Sequence, residues 1–189
     1  MMGNELLEGA RIRLAALLDD DMTLMARWLS DLALQRLVNP GVVVPVSAQA
    51  LLAPDSWISA DRANPNSYLF AIRTLAEDQF MGVTALANLH IQARHAEFGV
   101  NIANPDYQNQ GYGGEVTEIM LRYGFMELNL NRVWLSVFSY NTRAIRLYEK
   151  VGFVHEGTER EMLFRDGQYY DLIKMGILRR EWQARQDGA

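Results

Sequence analysis

The stretch Gln108-Asn109-Gln110-Gly111-Tyr112-Gly113-Gly114 places three glycines within four positions. Glycines there let the backbone turn tightly and bring several N–H groups up to one anion. A helix starting near Glu115 would add the partial positive charge of its first turn. A pyrophosphate needs that chemistry, and it needs no lysine. A P-loop would end in Gly-Lys-Ser/Thr, whereas Gly114 is followed by Glu115 and Val116. A dinucleotide fingerprint would use Gly111 and Gly113 but requires a third glycine where Val116 stands. On the loop alone, a plain glycine-rich turn between strand and helix stays open.

Other reactive side chains are sparse. The chain has no cysteine, which excludes disulfides, thiolate metal sites and a cysteine nucleophile. His90, His95 and His155 show no metal-ligand spacing among themselves or with carboxylates, so no metal is expected. Periodicity by itself puts Tyr148 on a buried helix stripe, as a core aromatic. His95 reads either as an aid to Glu97 or as a surface residue at a strand end. Asp171 reads as an acceptor-orienting group or a structural hydrogen bond, and Trp28 and Trp57 as pocket lining or core.

The elements around these residues follow from pattern. Arg11–Leu14 alternates like a strand, and Asp19-Asp20-Asp21 is placed to cap a helix carrying Met22, Met25, Ala26 and Leu29 on one face. From Asn39 to Pro65 the pattern loosens around Pro40, Pro45, Pro54 and Pro65, with a short helix expected over Ser47–Leu52. That segment reads as irregular and functional rather than as a domain boundary. Tyr68–Arg73 and Phe80–Asn88 form a hairpin about Ala76-Glu77-Asp78, and Ala96–Ile102 makes a third strand. The spacing then predicts a helix with Val116, Ile119, Met120 and Tyr123 on one side. A strand over Arg132–Phe138, a helix over Thr142–Val151 and a final hairpin about Arg165-Asp166-Gly167 complete the chain. This order implies an α+β sheet covered by helices.

Bulk properties set the limits. A length of 189 residues suits one domain, and 49% hydrophobic with 22% charged residues is an ordinary globular mix. The formal net charge of −5 has no basic stripe, so no nucleic-acid partner is expected. No apolar run reaches membrane-spanning length, and the start lacks a signal-peptide pattern, so no membrane partner and a cytoplasmic location are expected.

A second motif adds to the loop. Asn141-Thr142-Arg143-Ala144-Ile145-Arg146-Leu147-Tyr148-Glu149-Lys150-Val151-Gly152-Phe153 resembles the Asn-x-x-Ala-Ile-x-x-Tyr-Glu-Lys-x-Gly-Phe pattern of the GNAT superfamily of N-acetyltransferases. Gln108, Gly111 and Gly113 occupy the places of that superfamily's Arg/Gln-x-x-Gly-x-Gly/Ala loop. The likeness is strong over Ala96–Glu161 and points to the branch of ribosomal-protein N-terminal and spermidine N-acetyltransferases. It implies a single N-acetyltransferase domain over residues 1–189, with a three-layer fold. Its mixed, mostly antiparallel sheet would be flanked by helices and splayed at its centre for acetyl-CoA.

The resemblance also implies roles. Val100, Asn101 and Ile102 would pair with the pantetheine arm, and Gln108, Asn109, Gln110, Gly111, Tyr112, Gly113 and Gly114 would hold the pyrophosphate. Asn141 would bond the pantetheine or acyl end, and Ala144 would line the same groove. Tyr148 would border the cofactor and protonate the departing thiolate; a phenol at ~10 and a thiol at ~8.5 are suitably matched. Glu97, on the strand face alternate to Ala96, Phe98 and Val100, is the candidate base, with a plain surface carboxylate as its other reading. The place where some members carry a glutamate falls near Ser136, which cannot act as a base. The implied reaction is direct attack by a primary amine of a small molecule or peptide. The rival is a non-catalytic acyl-CoA-binding or sensing module on the same fold. A homodimer is a further arrangement the resemblance carries.

Overall fold

The computed structural model of the chain describes residues 6–187. Four antiparallel strands come first in the sheet: β1 (Ile12–Ala15), β2 (Tyr68–Thr74), β3 (Phe80–His90) and β4 (His95–Ile102). β5 (Arg132–Phe138) lies parallel to β4, and β6 (Val154–Arg165) and β7 (Gln168–Leu178) follow as an antiparallel pair. The seven strands run in the order β1-β2-β3-β4-β5-β7-β6, a mixed and mostly antiparallel sheet.

Alternation along the strands assigns the two faces. Phe70 and Ile72 of β2, Phe98 of β4 and Leu135 of β5 pack under α5 (Tyr112–Arg122), α6 (Thr142–Val151) and α7 (Arg179–Asp187). Leu69, Ala71 and Val83 face the other way, against α1 (Asp21–Trp28), α2 (Leu32–Val38), α3 (Ala48–Leu52) and α4 (Trp57–Ala63). The result is the three-layer arrangement expected, with one apolar cluster on each side of the sheet.

The aspartate run behaves differently from its reading as a cap. Asp20 occupies the N-cap of α1 without a side-chain bond, and Asp21 is already helical. Both Asp21 carboxylate oxygens accept from Arg73 Nη2, at 2.6 and 2.7 Å, and the pair is buried. A guanidinium under the α1 layer requires a counter-charge, and that demand outweighs capping.

The loose segment after Asn39 is more ordered than its prolines imply. Ser47 caps α3 by accepting from Ala50 N at 3.1 Å, and Ser56 caps α4 by accepting from Ser59 N at 3.1 Å. Arg165 and Asp166, at the tip of the β6–β7 hairpin, reach across to this region. Arg165 donates to the carbonyls of Arg36, Asn39 and Gly41, while Asp166 pairs with Arg36 at 3.0 Å.

Candidate active site

β4 and β5 stay together for three rungs only, His95–Arg132, Ala96–Val133 and Glu97–Trp134. Beyond Glu97, β4 remains on β3 as far as Ile102–Gly82, and β5 remains on β7 as far as Phe138–Leu172. The two strands therefore part at the middle of the sheet. Gly82 holds β4 to the β3 side of this fork. Its φ is +149°, and a Cβ there would stand 2.0 Å from the Asn101 carbonyl oxygen, so no other residue allows so close an approach.

The fork opens into a cavity of about 1160 Å³. Glu97, Val100, Asn101, Ile102, Gln108, Asn109, Gly111, Tyr112, Gly113, Asn141, Ala144 and Tyr148 all border it. Sequence reasoning thus brought together residues from β4, the glycine loop and α6. Gln110 and Gly114 stand behind the wall: the Gln110 carbonyl accepts from Arg11 Nη1 at 3.1 Å, and Gly114 N–H donates to the Gly111 carbonyl at 3.1 Å.

The helix after the loop starts at Tyr112, one turn earlier than the expected Glu115, so Gly113 and Gly114 belong to its first turn. Gly111 is its N-cap at φ +84°, a left-handed conformation that favours glycine. Among the described residues, none of the N–H groups from Asn109 to Gly113 donates to another main-chain group. They form a cluster of free donors at the positive end of α5. Arg11 braces this turn: its backbone N–H and Nε donate to the Glu115 carboxylate at 2.7 and 2.9 Å, and its guanidinium lies 4.1 Å from the Tyr112 ring centre. Arg143, on the first turn of α6, donates through Nη1 to Asn109 Oδ1 and borders the same cavity. Sequence reasoning passed over both arginines. Arg143 lay in plain view inside the second motif.

Asn141 caps α6, its Oδ1 accepting from Ala144 N at 3.2 Å, which leaves its amide nitrogen for a ligand. Tyr148 is buried, edge-on to Phe98 with ring centres 6.2 Å apart and tilted against Phe153. Burial pushes its phenol up to about 12. Tyr148 therefore is both a core aromatic and a cavity residue. It approaches the fork from the α6 side.

Glu97 lies on the opposite face, in register with Ala87 and Trp134, and accepts from Asn88 Nδ2 at 2.8 Å. Asn101 shares that face, and its Oδ1 is buried without a partner. Across the fork Ser136 pairs with Lys174, whose Nζ donates to Ser136 Oγ at 2.9 Å and sits 3.2 Å from Glu159. A lysine in a terminal strand carried no sequence signal for this position.

Of the remaining candidates, Trp57 borders the cavity, and His95, Asp171 and Trp28 do not. His95 stacks on His90 at 5.3 Å, and burial followed by the nearby His90 and Arg132 holds it below the usual histidine range. Asp171 accepts from Glu161 N at 2.9 Å, a structural role, and Trp28 stacks on Phe80 in the α1 layer. Trp57 is partly exposed and borders the cavity. Among the described residues, no group of three or more histidines and carboxylates could hold a metal ion, and no helix is long and apolar enough to cross a membrane.

Known proteins share both the fold and the motifs. The spermidine N(1)-acetyltransferase of Vibrio cholerae is 35% identical over 112 residues, which cover 59% of this chain and 64% of that protein. A putative ribosomal N-acetyltransferase of Bacillus subtilis is 32% identical over 109 residues, 58% of this chain and 59% of its own length. These alignments span a little under two thirds of the relatives. The crystal structure of the Vibrio cholerae spermidine N-acetyltransferase in complex with CoA and spermine superposes with a TM-score of 0.81. That superposition has 25% identity and covers 93% of this chain and 99% of the other. Residues 11–154 match the acetyltransferase (GNAT) domain, and the chain belongs to that family.

Proposed function

We propose that the protein is an acetyl-CoA-dependent N-acetyltransferase acting on a primary amine. The observation that carries this reading is the parting of β4 from β5 directly beside a cluster of unbonded N–H groups at the start of α5. The residues present suit the cofactor. Free donors from Asn109 to Gly113, backed by the α5 dipole and the Arg143 guanidinium, match a pyrophosphate. The open side of Val100–Ile102 offers an extended chain one strand's worth of hydrogen bonds, and the Asn141 amide nitrogen and the small Ala144 border the same path.

Acetyl-CoA when bound supplies a thioester; the amine nitrogen bonds to the acetyl carbon as the carbon–sulfur bond breaks, one proton leaving nitrogen and one reaching sulfur. Glu97 takes the first proton, from the α1–α4 face of the sheet. Tyr148 donates the second, from the α6 face, and burial keeps it protonated until needed. Backbone N–H groups on the free side of β4 polarise the carbonyl, and such fixed dipoles contribute more to the rate than either proton transfer. One relative is named as a spermidine N(1)-acetyltransferase and another as a putative ribosomal N-acetyltransferase, which supports an amine acceptor. Use of acetyl-CoA supports a cytoplasmic location.

Calorimetry with acetyl-CoA, CoA and NADH tests the reading, followed by assay of thiol release on adding amines. Both CoA species should bind, and NADH should not. Absence of binding to either CoA species would return the glycine loop to a plain turn.

A further inference from the structure

The half of the cavity on the α1–α4 face is built for an acceptor, and its chemistry is specific. Leu34, Leu51, Trp57, Leu69, Met162 and Leu172 line it. Charged groups bordering the whole cavity are Asp61, Glu97, Arg143 and Lys174. Asp61 is engaged by Ser67 Oγ at 3.0 Å, and Arg143 stands at the glycine loop. Glu97 is therefore the carboxylate at the fork. Opposite it the Lys174 ammonium is fixed by Ser136 and Glu159.

Resting on the transferase reading above, we infer that the acceptor is a primary amine with a single cationic centre carried on an apolar body. Glu97 and the unpartnered Oδ1 of Asn101 receive the amino group. The leucines and Trp57 receive the body, whose burial supplies the affinity. A polyamine fits poorly. Each further ammonium would need its own anionic partner once removed from water. Besides Glu97 the carboxylate bordering the cavity is Asp61, which already accepts from Ser67 Oγ, so the three ammonium groups of spermidine meet two carboxylates. Lys174 repels a second cation close to the first. The same chemistry is presented by a free aliphatic or aryl-alkyl amine and by the amino end of a peptide that starts with an apolar residue.

The test compares kcat/KM for 2-phenylethylamine, a leucine-initiated pentapeptide amide and spermidine, with acetyl-CoA binding measured in parallel. At least one apolar amine should exceed spermidine by about ten-fold or more, a difference of about 1.4 kcal/mol; which apolar arm leads identifies the source. Spermidine equal or ahead overturns the inference, as does turnover of none of the three while acetyl-CoA still binds. Loss of acetyl-CoA binding would overturn the transferase reading instead. Lys174→Gln, which removes the repelling charge and frees Glu159, should raise spermidine turnover several-fold. No gain there contradicts the repulsion. Trp57→Ala should raise KM for 2-phenylethylamine about ten-fold and leave KM for acetyl-CoA and the melting temperature unchanged, which a merely structural tryptophan would not do.

Discussion

Tyr148 carries two demands that pull in different directions. Its ring packs against Phe98 and Phe153, and that burial raises the phenol to about 12, well above a thiol at ~8.5. Complete proton transfer from a phenol to a thiolate in water is uphill, because the thiolate is the weaker base. A phenol that holds its proton more firmly steepens that slope, so the sulfur must lose water as well, becoming a stronger base, for the transfer to be even. Tyr148→Phe keeps the packing and removes the proton, and kcat should fall by about 10²-fold, the low end for a positioned acid, with KM for acetyl-CoA little changed. The pH profile gives an independent check. With the phenol raised, the wild type should show no loss of kcat from Tyr148 up to about pH 11, whereas an ordinary phenol would cause a decline near ~10. The sign for stability is the same. The folded state holds the proton more firmly than the unfolded chain, so this contribution is present below the ordinary phenol value and is lost as pH rises from ~10 towards 12.

At the scale of elements, the fork depends on β4 being held to β3 while β5 is held to β7. Gly82 is the tightest point of that arrangement. Gly82→Ala should lower the free energy of unfolding by about 1–3 kcal/mol, as overpacking does, and weaken acetyl-CoA binding by pushing the end of β4 into the fork. Gly157→Ala on β6, where an added Cβ meets nothing within 4 Å, is the control and should leave chemical denaturation unchanged. Equal effects of the two substitutions would contradict a clamp at Gly82. The elements that hold the fork were largely legible in the sequence: alternation gave β2, β3 and β5, and helical spacing gave α5 and α6. α2, α4 and α7 were not read. α2 and α4 are seven residues each, too short for periodicity to separate them from loop, and their helicity rests on caps at Asp31 and Ser56. The glycine loop and α6 supplied the cofactor half of the site because their chemistry is local. Lys174 and Arg11 were missed because one lies on β7 and the other just before β1, both distant in sequence from the residues they meet at the site.

For the molecule as a whole, the two apolar clusters lie on either side of a sheet whose centre is incomplete. Alternate amides of Phe98–Ile102 on β4 and of Leu135–Phe138 on β5 face the fork. They should exchange with deuterium quickly in the free protein and slowly with CoA bound, while β1 and β2 change little. Uniform slowing across the sheet would point to general tightening instead. An unsatisfied strand margin on the rim of a sheet is open to any passing polypeptide and invites aggregation. Here the margin lies indoors, with helices over both faces and strands beyond it on either hand. A folded neighbour cannot reach it, but a slender flexible molecule threaded from the surface can. The fold thereby reserves part of its own main-chain bonding for a visitor that is not a polypeptide, and shelters that part from polypeptides.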